Sequence, residues 1–270
     1  MRRSHGFTLV EMIVVIVITG IISAAVAVFI RHPVEGYGDA VRRAELTDTA
    51  DVALRRMTRD IRLALPNSLR VMSAGGINYI EFIMTQSGGR YRDPTDGSTG
   101  GDFLSFTSVA DTSFHVLGPL PQMAANDYLV IYNLGVPGSD AYVGNNRALI
   151  QSVAGNTVTL AANPFATQSP PLPSPGARFQ VVPGGVRAVT FACPQAVMGN
   201  LTRHWNYGFN TAQAVPAGGS SALLAGNVTC SVDYSANATG RNGLLFLSLT
   251  LNSGGESVTL FNQIHVDNSP

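Results

Sequence analysis

Residues 7–30 read Phe-Thr-Leu-Val-Glu-Met-Ile-Val-Val-Ile-Val-Ile-Thr-Gly-Ile-Ile-Ser-Ala-Ala-Val-Ala-Val-Phe-Ile, an apolar run broken by one charge, Glu11. As a helix this run spans about 36 Å, enough for a hydrocarbon core of about 30 Å. Arg2 and Arg3 precede it. By the positive-inside rule they hold the short N-terminal side in the cytoplasm and direct everything after Ile30 to the periplasm. A secretory signal peptide has a basic start, an apolar centre and a small-residue cleavage site, and Ala25-Val-Ala27 offers such a site. An uncleaved anchor and a buried core helix also accommodate an apolar run. Glu11 argues against all three, because a lone carboxylate costs on the order of 3 kcal/mol in a bilayer and implies a partner.

Gly6-Phe7-Thr8-Leu9-Val10-Glu11 resembles the processing signature of type IV prepilins. The resemblance implies that prepilin peptidase cuts the Gly6–Phe7 bond and N-methylates Phe7. It also implies that Glu11, fifth in the mature chain, neutralises the α-amino group of a neighbouring subunit during docking. A buried charge is tolerable when an opposite charge meets it. The domains expected are a leader at 1–6, a transmembrane and filament-core helix at 7–30, an amphipathic continuation at 31–66 and a periplasmic β-rich domain at 67–270. The chain is expected in the inner membrane as a single-pass protein, and in the pilus after assembly. Gly20 lies inside the span and weakens the helix by about 1 kcal/mol relative to Ala. The first proline is Pro33, so a kink is expected near His32–Pro33.

Beyond the span, Leu46, Ala50, Ala53, Leu54, Met57, Ile61, Ala64 and Leu65 recur at three- and four-residue steps, predicting an amphipathic helix from Asp39 to Leu65 that Pro66 ends. Arg42, Arg43, Arg55, Arg56, Arg59 and Arg62 share its other faces with Asp48, Asp51 and Asp60. A solvated, partly ion-paired face accounts for these charges. With no stacking aromatics interleaved and a formal net charge of zero, nucleic acid is not expected as a partner. Charged residues make up only 13% of the chain, about half the usual share, as a membrane segment or a large β core requires. Short alternating runs then predict strands at 77–84, 103–109, 128–132, 148–153, 157–160, 179–182, 186–191, 228–234, 244–251 and 257–266. Long loops are expected at 85–101 and 163–176. The fold class expected is α+β, a pilin-like fold with the long helix packed on an enlarged antiparallel sheet.

Leu46 to Leu69, Arg178-Phe-Gln-Val-Val182 and Leu245 to Asp267 resemble the minor pilins of MSHA pilus biogenesis, the MshO group, which are similar to J-type pseudopilins. The resemblance implies a structural subunit that helps initiate or cap a pilus. Its partners would be prepilin peptidase, other minor and major pilins and an inner-membrane assembly platform. A J-type pseudopilin of type II secretion and a glycan-binding tip adhesin are the alternatives.

No enzyme signature is present: no G-x-S-x-G, no P-loop and no H-E-x-x-H. No catalytic residue and no cofactor is expected. Cys193 and Cys230 are too few for a cysteine-only zinc site and lack CxxC spacing. In an exported domain they read as a disulfide, with two buried thiols as the alternative. Asp93, Asp96 and Asp102 offer alternating oxygen ligands for calcium, but without the closing Glu of an EF-hand loop. A flexible polar loop is the competing reading. Trp205, Tyr207 and Phe209 alternate, which in a strand puts them on one face, either stacking on a sugar or covering the core.

Overall fold

The computed structural model describes the backbone of residues 6–94, 97, 100–236 and 242–270, and the side chains of all of these except 31–35. The architecture is α+β, a long N-terminal apolar helix followed by a large antiparallel β domain. Helix α1 runs Leu9–Ile61 without a break, about 80 Å at 1.5 Å per residue. The kink expected at His32–Pro33 involves side chains outside the described residues. Leu9–Ile30 is long and apolar enough to cross a membrane, and none of it is buried. The lower part of α1 therefore leaves its apolar surface to other molecules, while the upper part buries its own.

Among the described residues, thirteen strands follow α1. Seven of them, β1 (Arg70–Ala74), β2 (Ile77–Ile83), β9 (Ala188–Pro194), β10 (Gly199–Trp205), β11 (Ser220–Ser235), β12 (Asn242–Ser253) and β13 (Glu256–Asp267), form one antiparallel sheet in that order. The other six, β3 (Ser87–Tyr91), β4 (Ser113–Leu117), β5 (Tyr128–Val130), β6 (Arg147–Ala154), β7 (Thr157–Leu160) and β8 (Arg178–Val182), close a barrel in the order β3-β4-β7-β6-β5-β8. The enlarged antiparallel β domain expected from the sequence is present, divided into a sheet and a barrel, and the barrel enters the chain between β2 and β9.

The sheet buries one face against α1. Ala50, Ala53, Leu54, Met57 and Ile61 meet Leu245, Leu247, Leu249 and Leu251 of β12, with Ile264 and Val266 of β13, in one core. Alternation does the sorting: the odd-numbered leucines of β12 are buried, whereas Phe246 between them is exposed. The barrel has its own core around Tyr91, Phe114, Ile150, Phe165 and Phe179. A third, smaller cluster joins barrel to sheet through Leu65, Ile83, Val130, Tyr142, Val182 and Ala188. Since Leu65 follows directly on α1, the barrel attaches at the end of the helix remote from Leu9–Ile30.

Several local expectations are corrected. The helix stops at Ile61 rather than Leu65, because Ala64 forms a bridge with Met84 and the Leu65 N–H donates to Ile83 O. Residues 103–109 are not a strand. Leu104 and Phe106 still pack into the barrel core, but Asn163 Nδ2 donates to the carbonyls of Ser105 and Asp111 (2.8 and 2.9 Å) and holds that backbone as a loop. Strands β1, β3, β4 and β10 had no sequence expectation, and β3 falls within the loop expected at 85–101.

Candidate functional site

Thr8 caps α1 in an extended conformation, with φ −77° and ψ 149°, and Gly6 and Phe7 precede it outside the helix. The Glu11 N–H donates to Thr8 Oγ1 (3.3 Å), while the Thr8 N–H and hydroxyl donate to Glu11 Oε2 (both 3.3 Å). This is a capping box, which satisfies N–H groups that the first turn leaves unpaired and sets a negative charge at the positive end of the helix. Glu11 therefore already has a use within its own subunit. The Gly6–Phe7 peptide lies just outside this cap, with Phe7 83% exposed. A Cβ added at Gly6 meets nothing within 4 Å. Among the described residues, no contact demands glycine at that position.

Residues 1–27 match the family model described as the prokaryotic N-terminal methylation motif. The motif supports a type IV pilin-like protein. A pilin-like N-terminus implies processing by prepilin peptidase and association with other pilins. Together with the apolar segment Leu9–Ile30, it supports a membrane-anchored, single-pass protein. Pilin-like proteins are typically structural, and nothing in the chain gives positive evidence of catalysis. Comparison with curated proteins and with solved structures returned no match.

In the β domain, Cys193 of β9 and Cys230 of β11 are joined by a disulfide with Cα atoms 5.9 Å apart, both buried in the helix–sheet core. Strands two apart in a sheet lie about 9.6 Å from each other. The shorter span is reached because the β9–β10 ladder ends at Thr202↔Ala192, before Cys193, and β10 slips register against β11 between Gly199 and Thr202.

Trp205, Tyr207 and Phe209 do not share one strand face. Strand β10 ends at Trp205, Asn206 has φ +60°, and the chain turns. Trp205 packs on the helix–sheet core with the Arg203 guanidinium 4.9 Å from its ring centroid. Phe209 meets Tyr128 edge-on at 5.1 Å and lies under Arg147 at 3.7 Å. The Tyr207 hydroxyl donates to Glu81 Oε1 (3.0 Å) and lies 2.5 Å from Thr190 Oγ1. All three rings are engaged in packing.

The Tyr207 contact belongs to a charge network that the sequence did not reveal. Glu81 on β2 is fully buried and faces Arg70 of β1 across the ladder, with Arg70 Nε donating to Glu81 Oε2 at 2.8 Å. Arg70 also donates to the carbonyls of Asn210 (2.7 Å) and Thr211 (2.9 Å), and its guanidinium stacks 3.6 Å from the Tyr142 ring centroid. Burial, then the neighbouring Glu81 charge, raise the pKa of both Tyr142 and Tyr207. The network ties sheet, barrel and the 206–213 loop at one junction. A second buried pair, Arg203 Nε to Asp60 Oδ2 at 2.8 Å, ties β10 to the end of α1. Cross-strand register would have been needed to foresee either.

Of the calcium candidates, Asp102 accepts a hydrogen bond from Ser113 Oγ (2.6 Å) and Asp96 lies outside the described residues. Among the described residues, Asp93 and Asp102 are not part of any group of three or more His, Cys, Asp or Glu placed to hold a metal.

Proposed function

We propose that the chain is a minor pilin that helps initiate or cap a type IV pilus of the MSHA type. The observation that carries this reading is the exposed Gly6–Phe7 bond set immediately before an apolar helix whose first turn is closed by the Thr8–Glu11 capping box. The barrel supports a minor rather than a repeating role. It adds a second β unit at the end of α1 remote from the membrane segment, a position suited to a tip. The disulfide supports an exported β domain, since such bonds persist in oxidising compartments. The chain would then sit in the inner membrane with its N-terminus cytoplasmic, bound first to prepilin peptidase and later to other pilins on the assembly platform. Glu11 would exchange its capping contacts with Thr8 for the methylated α-amino group of a neighbour's Phe7. The MSHA assignment is supported by the resemblance of segments now placed on α1, β8, β12 and β13.

The test pairs two variants in cells that contain the peptidase. Gly6→Asp should leave the full-length chain in the membrane. Glu11→Val should be cleaved normally and inserted, yet recovered at reduced levels in cross-links with other pilins. A mature N-terminus near Val28, found by mass spectrometry, would overturn the pilin reading. Undiminished cross-linking of Glu11→Val would remove Glu11 as the docking group.

A further inference from the structure

The C-terminal half of β11 forms a ribbon with β12 and β13 that turns one face to the helix–sheet core and the other to solvent. On the solvent face Asp233, Phe246 and Gln263 make one rung, and Ser231, Ser248 and Phe261 the next. Phe246 and Phe261 are therefore diagonal neighbours, within reach of each other. They are 46% and 73% exposed, and among the described residues the other exposed phenylalanines, Phe7 and Phe29, lie within residues 7–30. Two bare rings side by side on a strand face, away from the membrane segment, mark a contact surface. Hydroxyl and amide groups surround them, with Thr250 and Thr259 joined by a 2.9 Å hydrogen bond. Strand β13 follows α1 in the same direction. Glu256 pairs with Arg43 (2.9 Å), Asn262 with Thr58 (2.8 Å) and Asn268 with Asn67 (3.1 Å). The face thus runs lengthwise along the anchored helix.

We propose that this face packs against the same face of a second copy, about a twofold axis that runs along β12 and along the membrane normal. Such an axis lets both Leu9–Ile30 segments enter one bilayer from the same side. A twofold axis perpendicular to the face would send the two anchors in opposite directions. The proposed axis lays β12 on β12, and β11 of each copy on β13 of the other. Phe246 then meets Phe246 on the axis, Phe261 lies over Ser231, and the Asp233 carboxylate faces the Gln263 amide, which donates to it. The two Asp233 side chains fall on opposite sides of the axis, so this acid does not meet itself. Three strands over four rungs cover about 14 by 27 Å. That is roughly half the 800 Å² per partner of a stable soluble interface. The pairing therefore suits copies already concentrated in one membrane. Both sheets lie between the two α1 helices, which holds the helices apart and leaves each free for other contacts. The inference rests on the membrane-anchored reading and adds to it a paired form within the bilayer.

The experiment uses the full chain, in lipid vesicles and in membranes of the producing cells, with a bismaleimide linker that spans the roughly 10 Å between packed sheets. Cys193 and Cys230 are bonded to each other and do not react. Ser248→Cys, on the axis, should cross-link to itself. Thr229→Cys and Thr259→Cys, on either side of it, should each give little dimer alone but should cross-link when differently tagged copies of the two are mixed. Adding Phe246→Ser and Phe261→Ser to the Ser248→Cys chain should lower its dimer roughly tenfold. Both rings are exposed, so the fold does not depend on them. Thr259→Cys dimers as abundant as the mixed ones, or Ser248→Cys dimers indifferent to the loss of both rings, would overturn the proposal. So would cross-links to another protein in cell membranes with no dimer in vesicles, which would give the face to that protein. Carbonate washing of the same membranes reports separately on the anchor. A chain that washes out sinks the anchored reading, whereas an anchored chain without this pattern of dimers sinks only the pairing.

Discussion

The Asp60–Arg203 pair predicts an asymmetric response to mutation. Both side chains are nearly out of water, at 3% and 8% exposure, and Arg203 also lies over Trp205. Asp60→Ala leaves the Arg203 guanidinium buried without its counter-charge, which costs about 3–5 kcal/mol. Arg203→Ala leaves Asp60 with Arg56 at 3.4 Å and Arg59 at 3.9 Å. Both of those arginines reach solvent, so the carboxylate stays compensated. The loss is then the hydrogen bond and the ring contact, about 1–3 kcal/mol. Asp60→Leu with Arg203→Met removes both charges and refills the space, and should fall within about 2 kcal/mol of the parent. Guanidinium titration of the full chain in micelles measures all three. In a thermal scan Asp60→Ala should lower Tm by roughly 10 °C, taking about 2–4 °C per kcal/mol for a domain of this size. Equal losses for the two single variants would refute the compensation by Arg56 and Arg59. A double variant that costs the sum of the singles would refute the coupling itself.

Replacing both Cys193 and Cys230 by Ala should cost roughly 3–4 kcal/mol in the chain-entropy view, given the sequence separation of 37; denaturant titration against the oxidised parent measures it, and a loss below about 1 kcal/mol would show the bridge to be idle. Alkaline stability should fall from about pH 10 upward. Burial pushes the Tyr91 hydroxyl up to about 12 and raises Tyr142 and Tyr207 as well, the last two with help from Glu81. A folded pKa above the unfolded one gives stability that is fully present below the unfolded value and is lost as pH rises through the folded value. Unfolding followed at several pH values between 9 and 12, with phenolate absorbance recorded alongside, checks this. Phenolate appearing in the folded chain near pH 10 for all tyrosines would contradict it.

What the sequence showed and hid follows from the range of the forces involved. Leu9–Ile30 was legible because a membrane span needs one contiguous apolar run. Strands β12 and β13 were legible because one face is buried against a helix, which enforces alternation along a single segment. The end of α1 was misjudged because Leu63, Ala64 and Leu65 continue the apolar rhythm, whereas the Ala64–Met84 bridge and the Leu65 N–H to Ile83 O bond tie them to the strand that follows. Strand β4 was missed for the converse reason: Leu104 and Phe106 look more strand-like than Ser113–Leu117, yet a single Asn163 side chain holds them as a loop. Barrel closure, the Arg70–Glu81 register and the Asp60–Arg203 pair depend on contacts between residues distant in sequence. No local pattern encodes those.

The point at which the barrel enters the chain has its own consequence. Ile83 and Ala188 face each other at the last rung between β2 and β9, so the chain departs and returns at neighbouring positions. Among the described residues, none of the six barrel strands pairs with any of the seven sheet strands. Excised on paper, the insertion leaves an ordinary β2–β9 hairpin and an intact host. The guest is held by the small junction cluster, by the charge network around Glu81 and by hydrogen bonds such as Asn133 Nδ2 to Pro66 O (2.7 Å) and Asn67 Nδ2 to Asn133 O (2.9 Å). Joining β2 to β9 across an unstructured stretch of that length would cost about 4 kcal/mol of closure entropy. A barrel that has already folded brings the two ends together beforehand, so this guest acts as a staple for its host, and its outer surface is free to diverge without disturbing the helix beneath.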